Sequence, residues 1–340
     1  MIILNLKKSN SYSSRAHHFF YSALFKFLFI LLFLFQNYVY SQNIFPSKPF
    51  RIYVGFVPGG FTDFAARIVS TSLAESFGNQ VIVDNRPGAN GHIAAELTAK
   101  SLPDGYTFYM ASSGHTTNPI LLPKNTLDPV RDFSAISLLA DIPNLLVVHP
   151  SVPARNLIDF IKLARARPVY LSQATSGVGS PGHLIGELLK ISAGIKFIHV
   201  PYKGSGAMMT DLLGGQVDFS FPTTAAALSY ISSGRLRALG IASAKRSQAY
   251  PDIPTISEAG VPGFSVMGWY GLIGPARIPK DILSTLSLEI VKISKKTDVR
   301  AKLLNAGAEP VGNSSDDFLS FIAADYEKWN KVIKIANIKM

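Results

Sequence analysis

The chain has 340 residues, 47% of them apolar and 16% charged, with a formal charge of +11 and no cysteine. That is long enough for two domains and a substantial core, and too apolar for a disordered chain. Without thiols there are no disulfides, no thiol chemistry and no lipoprotein attachment through an N-terminal cysteine. The basic residues are scattered, with no aromatic–basic interleaving, which argues against nucleic acid as a partner.

Residues 1–41 hold Lys7, Lys8, Arg15 and Lys26, no acid, and an unbroken apolar run from Phe27 to Phe35. Nine residues do not cross a bilayer, which needs about 20. A positive flank, a short apolar stretch and the small Ser41 after Val39 fit a secretory signal peptide cut near Ser41/Gln42, with a retained anchor as the rival reading. Cleavage would remove four positive charges and leave +7. That balance suits acidic small molecules or an anionic membrane surface.

From Arg51 onward strands and helices alternate. Strands are expected at 52–57, 81–84, 107–111, 145–149, 169–174, 197–200, 217–221, 236–242 and 266–273. Most are short apolar runs without strict alternation, as in parallel strands covered on both faces. Helices are expected at 64–77, 92–100, 157–165, 183–192, 207–213, 224–232, 280–295 and 316–336. Repeated βα units predict parallel, doubly wound sheets, and this many units suggests two of them. Prolines near His149-Pro150-Ser-Val-Pro153 and between Pro254 and Phe264 mark two chain crossings. The second domain is then an insertion: 46–148 and 265–340 form one domain, 149–264 the other, and paired crossings make a hinge.

Three strand ends carry candidate chemistry. Pro58-Gly59-Gly60-Phe61-Thr62-Asp63 lies between a strand and a helix. It reads equally as an anion cradle at a helix N-terminus and as a tight turn with Thr62 as cap and Asp63 as first-turn acid. Ser112-Ser113-Gly114-His115-Thr116-Thr117-Asn118 gathers hydroxyls at a strand's carboxyl end, where open α/β sheets bind ligands; a self-capped loop is the rival. Thr175-Ser176-Gly177-Val178-Gly179-Ser180-Pro181-Gly182-His183 matches the dinucleotide fingerprint formally. The acid expected about 20 residues later is missing, because the next strand ends His199-Val200-Pro201-Tyr202. A second carboxylate cradle fits better.

Catalytic chemistry is hard to assemble. No H-x-x-x-H or H-E-x-x-H pair occurs and there is no thiolate, so neither a metal site nor a cofactor is expected. G-x-S-x-G is absent. His183 reads as packing behind the turn more than as a base, and Trp269-Tyr270 as wall packing with ligand contact the lesser reading. An α/β hydrolase or dehydrogenase remains the rival from another class.

The ordered motifs resemble a specific family. Phe56-Val57-Pro58-Gly59-Gly60 with Asp63, Asp84-Asn85-Arg86-Pro87-Gly88-Ala89, Pro103-Asp104-Gly105-Tyr106-Thr107 and Arg131-Asp132-Phe133 carry the resemblance in the first half. His199-Val200-Pro201-Tyr202-Lys203-Gly204, Asp211-Leu212-Leu213-Gly214-Gly215-Gln216-Val217-Asp218 and Trp269-Tyr270-Gly271-Leu272 carry it in the second. The chain resembles the Bug-type (TctC-like) periplasmic receptors of tripartite tricarboxylate transporters. The resemblance implies a two-domain, type II periplasmic-binding clamshell, α/β in class, with a parallel-rich sheet in each domain. It implies a monomeric periplasmic receptor, without catalysis, that holds a small carboxylic acid and serves integral membrane transporter subunits, or else a signalling partner. The expected ligand-binding residues are Gly59, Gly60, Phe61, Thr62, Asp63, Ser112, Ser113, His115, Thr116, Ser176, Gly177, Gly179, Ser180, His183, Tyr202, Pro222 and Thr223. Many family members have an Asp where this chain has Pro222. Losing that acid favours a dicarboxylate or neutral-tailed acid over an amino acid.

Overall fold

The computed structural model describes Phe25, Lys26, Phe29 and residues 45–122, 127–248 and 250–339; the expected cleavage point at Ser41 lies outside the described residues. The chain divides into units 1–47 and 48–340. In the first, Phe25, Lys26 and Phe29 are helical and exposed. Both sheets and their covering helices belong to the second.

Two sheets form, and the chain passes between them twice. The first contains β1 (Phe50–Val54), β2 (Val81–Asn85), β3 (Thr107–Ser112), β4 (Phe133–Asp141), β10 (Trp269–Pro275) and β11 (Glu309–Pro310), in the order β11-β4-β10-β3-β1-β2. The second contains β5 (Leu145–Val148), β6 (Ser172–Thr175), β7 (Ile198–Pro201), β8 (Phe219–Ser220) and β9 (Arg237–Ile241), in the order β7-β6-β8-β5-β9. Both are mixed. β1 is parallel to β2 and β3, and β6 to β7 and β8. β5 and β10, each the first strand after a crossing, run antiparallel to their neighbours. Such strands enter a sheet from the opposite lobe, so they arrive at its other end.

Helices at 114–121 and 297–305 and the short strand at 309–310 were not expected, and two further elements bear on the site. β5 belongs to the second sheet, so the first crossing lies at 142–144, before the expected break at 148. β4 has no counterpart among the expected strands. It is almost wholly buried, and its Ser137 hydroxyl donates to the Asn313 carbonyl at 2.7 Å, which is how a serine sits inside a central strand.

The helices are α1 (Phe61–Phe77), α2 (His92–Ala99), α3 (Gly114–Leu121), α4 (Leu157–Ala166), α5 (Pro181–Ala193), α6 (Ser205–Leu213), α7 (Thr224–Ser232), α8 (Lys280–Lys295), α9 (Thr297–Asn305) and α10 (Ser315–Ile335). α1 stops at Gly78, left-handed at φ 67°, whose amide donates to the Ala74 carbonyl. α10 starts at Ser314, whose hydroxyl accepts from the Asp317 amide at 3.1 Å. None of the described helices is long and apolar enough to cross a membrane.

Each sheet is covered on both faces. In β5, Leu146 and Val148 join one cluster with Phe160, Leu184 and Phe219, while Leu145 and Val147 join another with Met208 and Leu212. The first lobe packs Tyr109, Phe133, Leu138 and Trp269 against Phe318 and Ile322 of α10. Further along the same helix, Trp329, Val332 and Ile333 pack into the second lobe's core. α10 therefore spans both cores.

Candidate functional site

A cleft of about 190 Å³ opens where the two sheets meet. Its walls are Ser113, Ile142, Asn144, Ser176, Pro181, Gly182, Ser205, Met208, Phe221, Pro222, Thr223, Ala226, Gly268 and Tyr270. A site of this volume holds several water molecules and is on the scale of a small organic acid. No lining side chain is formally charged. Instead, helix starts converge there: Ser113 is the N-cap of α3, Pro181 and Gly182 open α5, Ser205 opens α6 and Thr223 caps α7. First-turn amides lack intrahelical acceptors and sit at the positive end of the helix dipole. The hydroxyls of Ser113, Ser176 and Ser205 have no hydrogen bond among the described residues, so they remain available to a ligand.

Both crossings form the cleft floor. The Ile142 amide donates to the Gly268 carbonyl at 3.0 Å. Gly268 must be glycine, since a Cβ there would run into the Ile142 carbonyl oxygen. The Asn144 side-chain amide donates to the Phe221 carbonyl at 2.8 Å and so ties the crossing to the second lobe.

The first glycine turn stands beside the cleft and does not line it. Gly59 and Gly60 are exposed, and Phe61 reaches the cleft wall by packing on Tyr270, with ring centroids 4.6 Å apart. Thr62 is buried in the first turn of α1, whose cap is Gly60. Asp63, also buried, has no oxygen left for a ligand. It accepts from the Gly59 amide at 3.1 Å, from Arg67 at 2.9 and 3.1 Å and from Asn85 at 3.0 Å. Burial alone would push this carboxyl's pKa up, but the bonds from Arg67, Asn85 and Gly59 outweigh it and hold it low. Asp63 fixes the turn.

The second glycine turn does reach the cleft, through Ser176. Gly177 and Gly179 have φ of 146° and 74°, which only glycine adopts without strain. The Gly179 amide is already engaged: it donates to His183 Nδ1 at 3.1 Å. His183 stacks on His199 at 3.8 Å, and His199 Nε2 pairs with Thr175 Oγ1 at 2.7 Å. Burial, helped by Lys190, lowers the His183 pKa to about 4. Its ring is therefore neutral and braces the turn from behind. Ser180 caps α5, with its hydroxyl oxygen buried and unpartnered among the described residues.

Four other expected residues have different work. His115 is buried in the first lobe, with Nε2 at 2.9 Å from the Pro129 carbonyl and its ring edge-on to Phe133. Thr116 donates to the buried Asp325 carboxylate at 2.8 Å. Ser112 is buried in β3 opposite Tyr270. Tyr202 donates to Asp211 at 2.7 Å and packs with the second lobe's core. Of the expected residues, Ser113, Ser176, Pro222 and Thr223 line the cleft directly.

Ser205, Met208, Ala226 and the floor residues were not anticipated. Ala226 stands in the first turn of a helix expected at its observed limits, while Ser205 opens a helix expected only from 207. Reading every helix start after a strand as a potential cradle would have found them. The floor carries no such signal, because crossings leave no periodic pattern.

Comparison with known proteins fits this geometry. The family model for the tripartite tricarboxylate transporter family receptor, TctC, matches residues 65–338. A UPF0065 protein from the tcbD-tcbE intergenic region of Pseudomonas sp. is 37% identical, covering 86% of this chain and 87% of its own. Protein BugT of Bordetella pertussis is 34% identical, covering 88% and 93%. Among solved structures, R. palustris Rpa4515 with adipate is 36% identical with a TM-score of 0.72, covering 87% of this chain and 99% of its own. MatC from Rhodopseudomonas palustris with bound malate is 30% identical at a TM-score of 0.68, covering 85% and 100%. A TctC solute-binding protein from Polaromonas with no ligand has a TM-score of 0.78 at 25% identity, covering 85% and 99%. These similarities establish a two-lobed solute-binding fold without a catalytic role, and the chain belongs to the TctC family of tripartite tricarboxylate transporter receptors.

Proposed function

We propose that this protein is an extracytoplasmic receptor that captures a small dicarboxylate, or an acid with a neutral tail, in the cleft between its lobes and delivers it to membrane transporter subunits. The observation that carries this reading is a cleft without charged side chains, into which four helix starts and three unpartnered serine hydroxyls converge. Dipoles and neutral donors favour an anion without a competing cation. Each hydrogen bond to a carboxylate contributes on the order of 1.5–3 kcal/mol, so a few of them, less ordering costs, give micromolar binding at about −8 kcal/mol. Apolar walls at Ile142, Met208, Phe221 and Pro222 suit the hydrocarbon middle of a diacid. The adipate and malate bound by two related receptors belong to this chemical class. In this reading the lobe built on β1–β4, β10 and β11 closes on the lobe built on β5–β9, the receptor acts as a monomer in the periplasm, and the leader is cut near Ser41.

Closure adds contacts from the second lobe, so ligand shifts the open–closed equilibrium by its extra affinity for the closed form. Calorimetry with mono-, di- and tricarboxylates should find a binder. Ser176→Ala and Ser205→Ala should each weaken it about tenfold to a hundredfold, as expected for one lost hydrogen bond to a carboxylate. Binding of a non-acidic solute, with every carboxylate inert, overturns the reading.

A further inference from the structure

Asp141 ends β4, one residue before the first crossing, and is only 6% exposed. In the ladder it faces Glu309 of β11 on one side and Trp269 of β10 on the other. Acids directly opposed across antiparallel strands, with Cβ atoms about 5 Å apart, repel each other. Asp141 Oδ1 accepts the Gly268 amide at 2.9 Å, so this carboxyl reinforces the main-chain bond that joins the two crossings. No hydrogen bond reaches Oδ2 among the described residues. Three cleft-lining residues surround the group: Ile142 follows it, Gly268 donates to it and Tyr270 lies within its field.

The charged surroundings do not neutralise it. Glu309 is itself held, accepting from Ser247 Oγ at 2.6 Å and from the Gln248 amide at 3.0 Å. On α10, Lys328 is the nearby cation, but it is paired with Asp325 at 2.9 Å. Tyr270 brings only a phenol, whose own pKa is pushed up to about 12 by burial and by Asp141.

We propose that Asp141 is a proton site coupled to the cleft, which must be neutral while an anion is held, so that carboxylate capture draws one proton from solvent onto its carboxylate. This rests on the carboxylate-receptor reading. An anion placed against Ile142, Gly268 and Tyr270 adds a like charge to a site already opposed by Glu309, and protonation relieves both. Burial, with Glu309 adding to it, moves the Asp141 pKa up to about 7 against the opposing effects of Gly268 and Lys328, which places the event in the neutral range. The neutral acid keeps Oδ1 for Gly268.

The test is calorimetry of the whole protein with adipate from about pH 6.5 to 8.5, in buffers of different ionisation enthalpy, to count protons taken up on binding. Wild type should take up a fraction of a proton that rises with pH towards one, with affinity falling by at most about tenfold per pH unit above the pKa. Asp141→Asn should bind with no uptake and a flat pH profile. Glu309→Gln should shift the transition to lower pH, which decides the matter if the first variant does not fold. Equal uptake in wild type and Asp141→Asn, no uptake in wild type, or an unshifted transition in Glu309→Gln overturns the proposal. Failure of every mono-, di- and tricarboxylate tried to bind at any pH instead sinks the receptor reading, and the coupling with it. The proton site itself is then read from urea unfolding. Above the range where the buried histidines titrate, from about pH 6.5 to 8, wild type should lose stability as pH rises while Glu309→Gln loses less, and parallel profiles overturn the site.

Discussion

Asp63 should behave as a scaffold and not as a ligand contact, and replacing it separates the two roles. Its carboxylate accepts four hydrogen bonds while 3% exposed. Asp63→Ala strands the Asn85 amide's bond and the Gly59 amide, and frees Arg67. A buried donor left without a partner costs about 1–3 kcal/mol. Gly59 is exposed, so water replaces much of its share, and Asn85 keeps its second bond to the Phe56 carbonyl at 3.0 Å. The Arg67 side chain is 56% exposed, so that ion pair contributes under about 1 kcal/mol. Together these give a loss of about 2–3 kcal/mol, read by urea unfolding near neutral pH. Carboxylate affinity should fall by less than about tenfold, because the change reaches the cleft only through Phe61 and Tyr270. The sign with pH follows from the lowered pKa. The stabilisation is present above the unfolded value of about 3.9 and is lost as pH falls through the folded one. Asp63→Asn should remove that acid-range slope. A stability loss below about 0.5 kcal/mol, or an affinity loss far beyond tenfold at intact stability, refutes the scaffold role.

The other expectations concern the cleft and its supports. Pro222→Asp places an acid in the cleft wall. Repulsion of roughly 4 kcal/mol at 4 Å in a medium of intermediate polarity should cut dicarboxylate binding more than tenfold, and unchanged adipate binding would remove Pro222 from the site. His183 and His199 both have pKa values lowered to about 4, by burial first, then by Lys190 for His183 and by His183 for His199. Between the ordinary value near 6.5 and 4 the unfolded chain binds more protons, so stability should fall as pH drops through that window. His199→Gln should flatten the slope, and a parallel slope in that variant rejects the assignment. Trp269 adjoins the cleft wall and Trp329 packs at its hinge side, so intrinsic fluorescence should change as carboxylate binds. Calorimetric binding without a spectral change would argue against movement at the hinge.

Much of the fold was legible because strands and helices announce themselves locally. Helix 224–232 was expected at its observed limits, and 280–295 likewise. β4 was missed because its serines break the apolar run, and the bond that compensates Ser137 goes to Asn313, 176 positions away. α3 was missed because Gly114, the paired threonines and Pro119 all disfavour a helix. Tertiary bonds hold it, above all Thr116 to Asp325. The site was half legible for a related reason. A glycine turn before a helix states that backbone donors are free, but not which side chain has already taken them. Asp63 on Gly59 and His183 on Gly179 are such prior claims, and nothing in the local sequence separates them from ligands.

The way α10 spans the lobes restricts how the cleft can close. Its front half packs Phe318 and Ile322 in the first core, and its rear half packs Trp329, Val332 and Ile333 in the second. Between them, Asp325 accepts from Thr116 at 2.8 Å and from Trp269 Nε1 at 3.1 Å, so the helix is pinned to α3 and to the return strand β10. Helices kink sharply at proline, at glycine or where the backbone ladder is broken, and 315–335 contains neither residue. The helix must therefore travel with the first lobe as a rod. Closure then requires the second core to slide across Trp329, Val332 and Ile333, contacts that are apolar and without direction, while the crossings at 142–144 and near Gly268 absorb the rotation. Hydrogen bonds that span the lobes, Thr224 Oγ1 to the Gly307 carbonyl at 3.0 Å and Ser247 to Glu309 at 2.6 Å, limit that slide on the far side. Of these restraints, the Ser247 bond ends on the acid that faces Asp141, so the contact limiting the slide and the carboxyl beside the cleft floor share one strand pair.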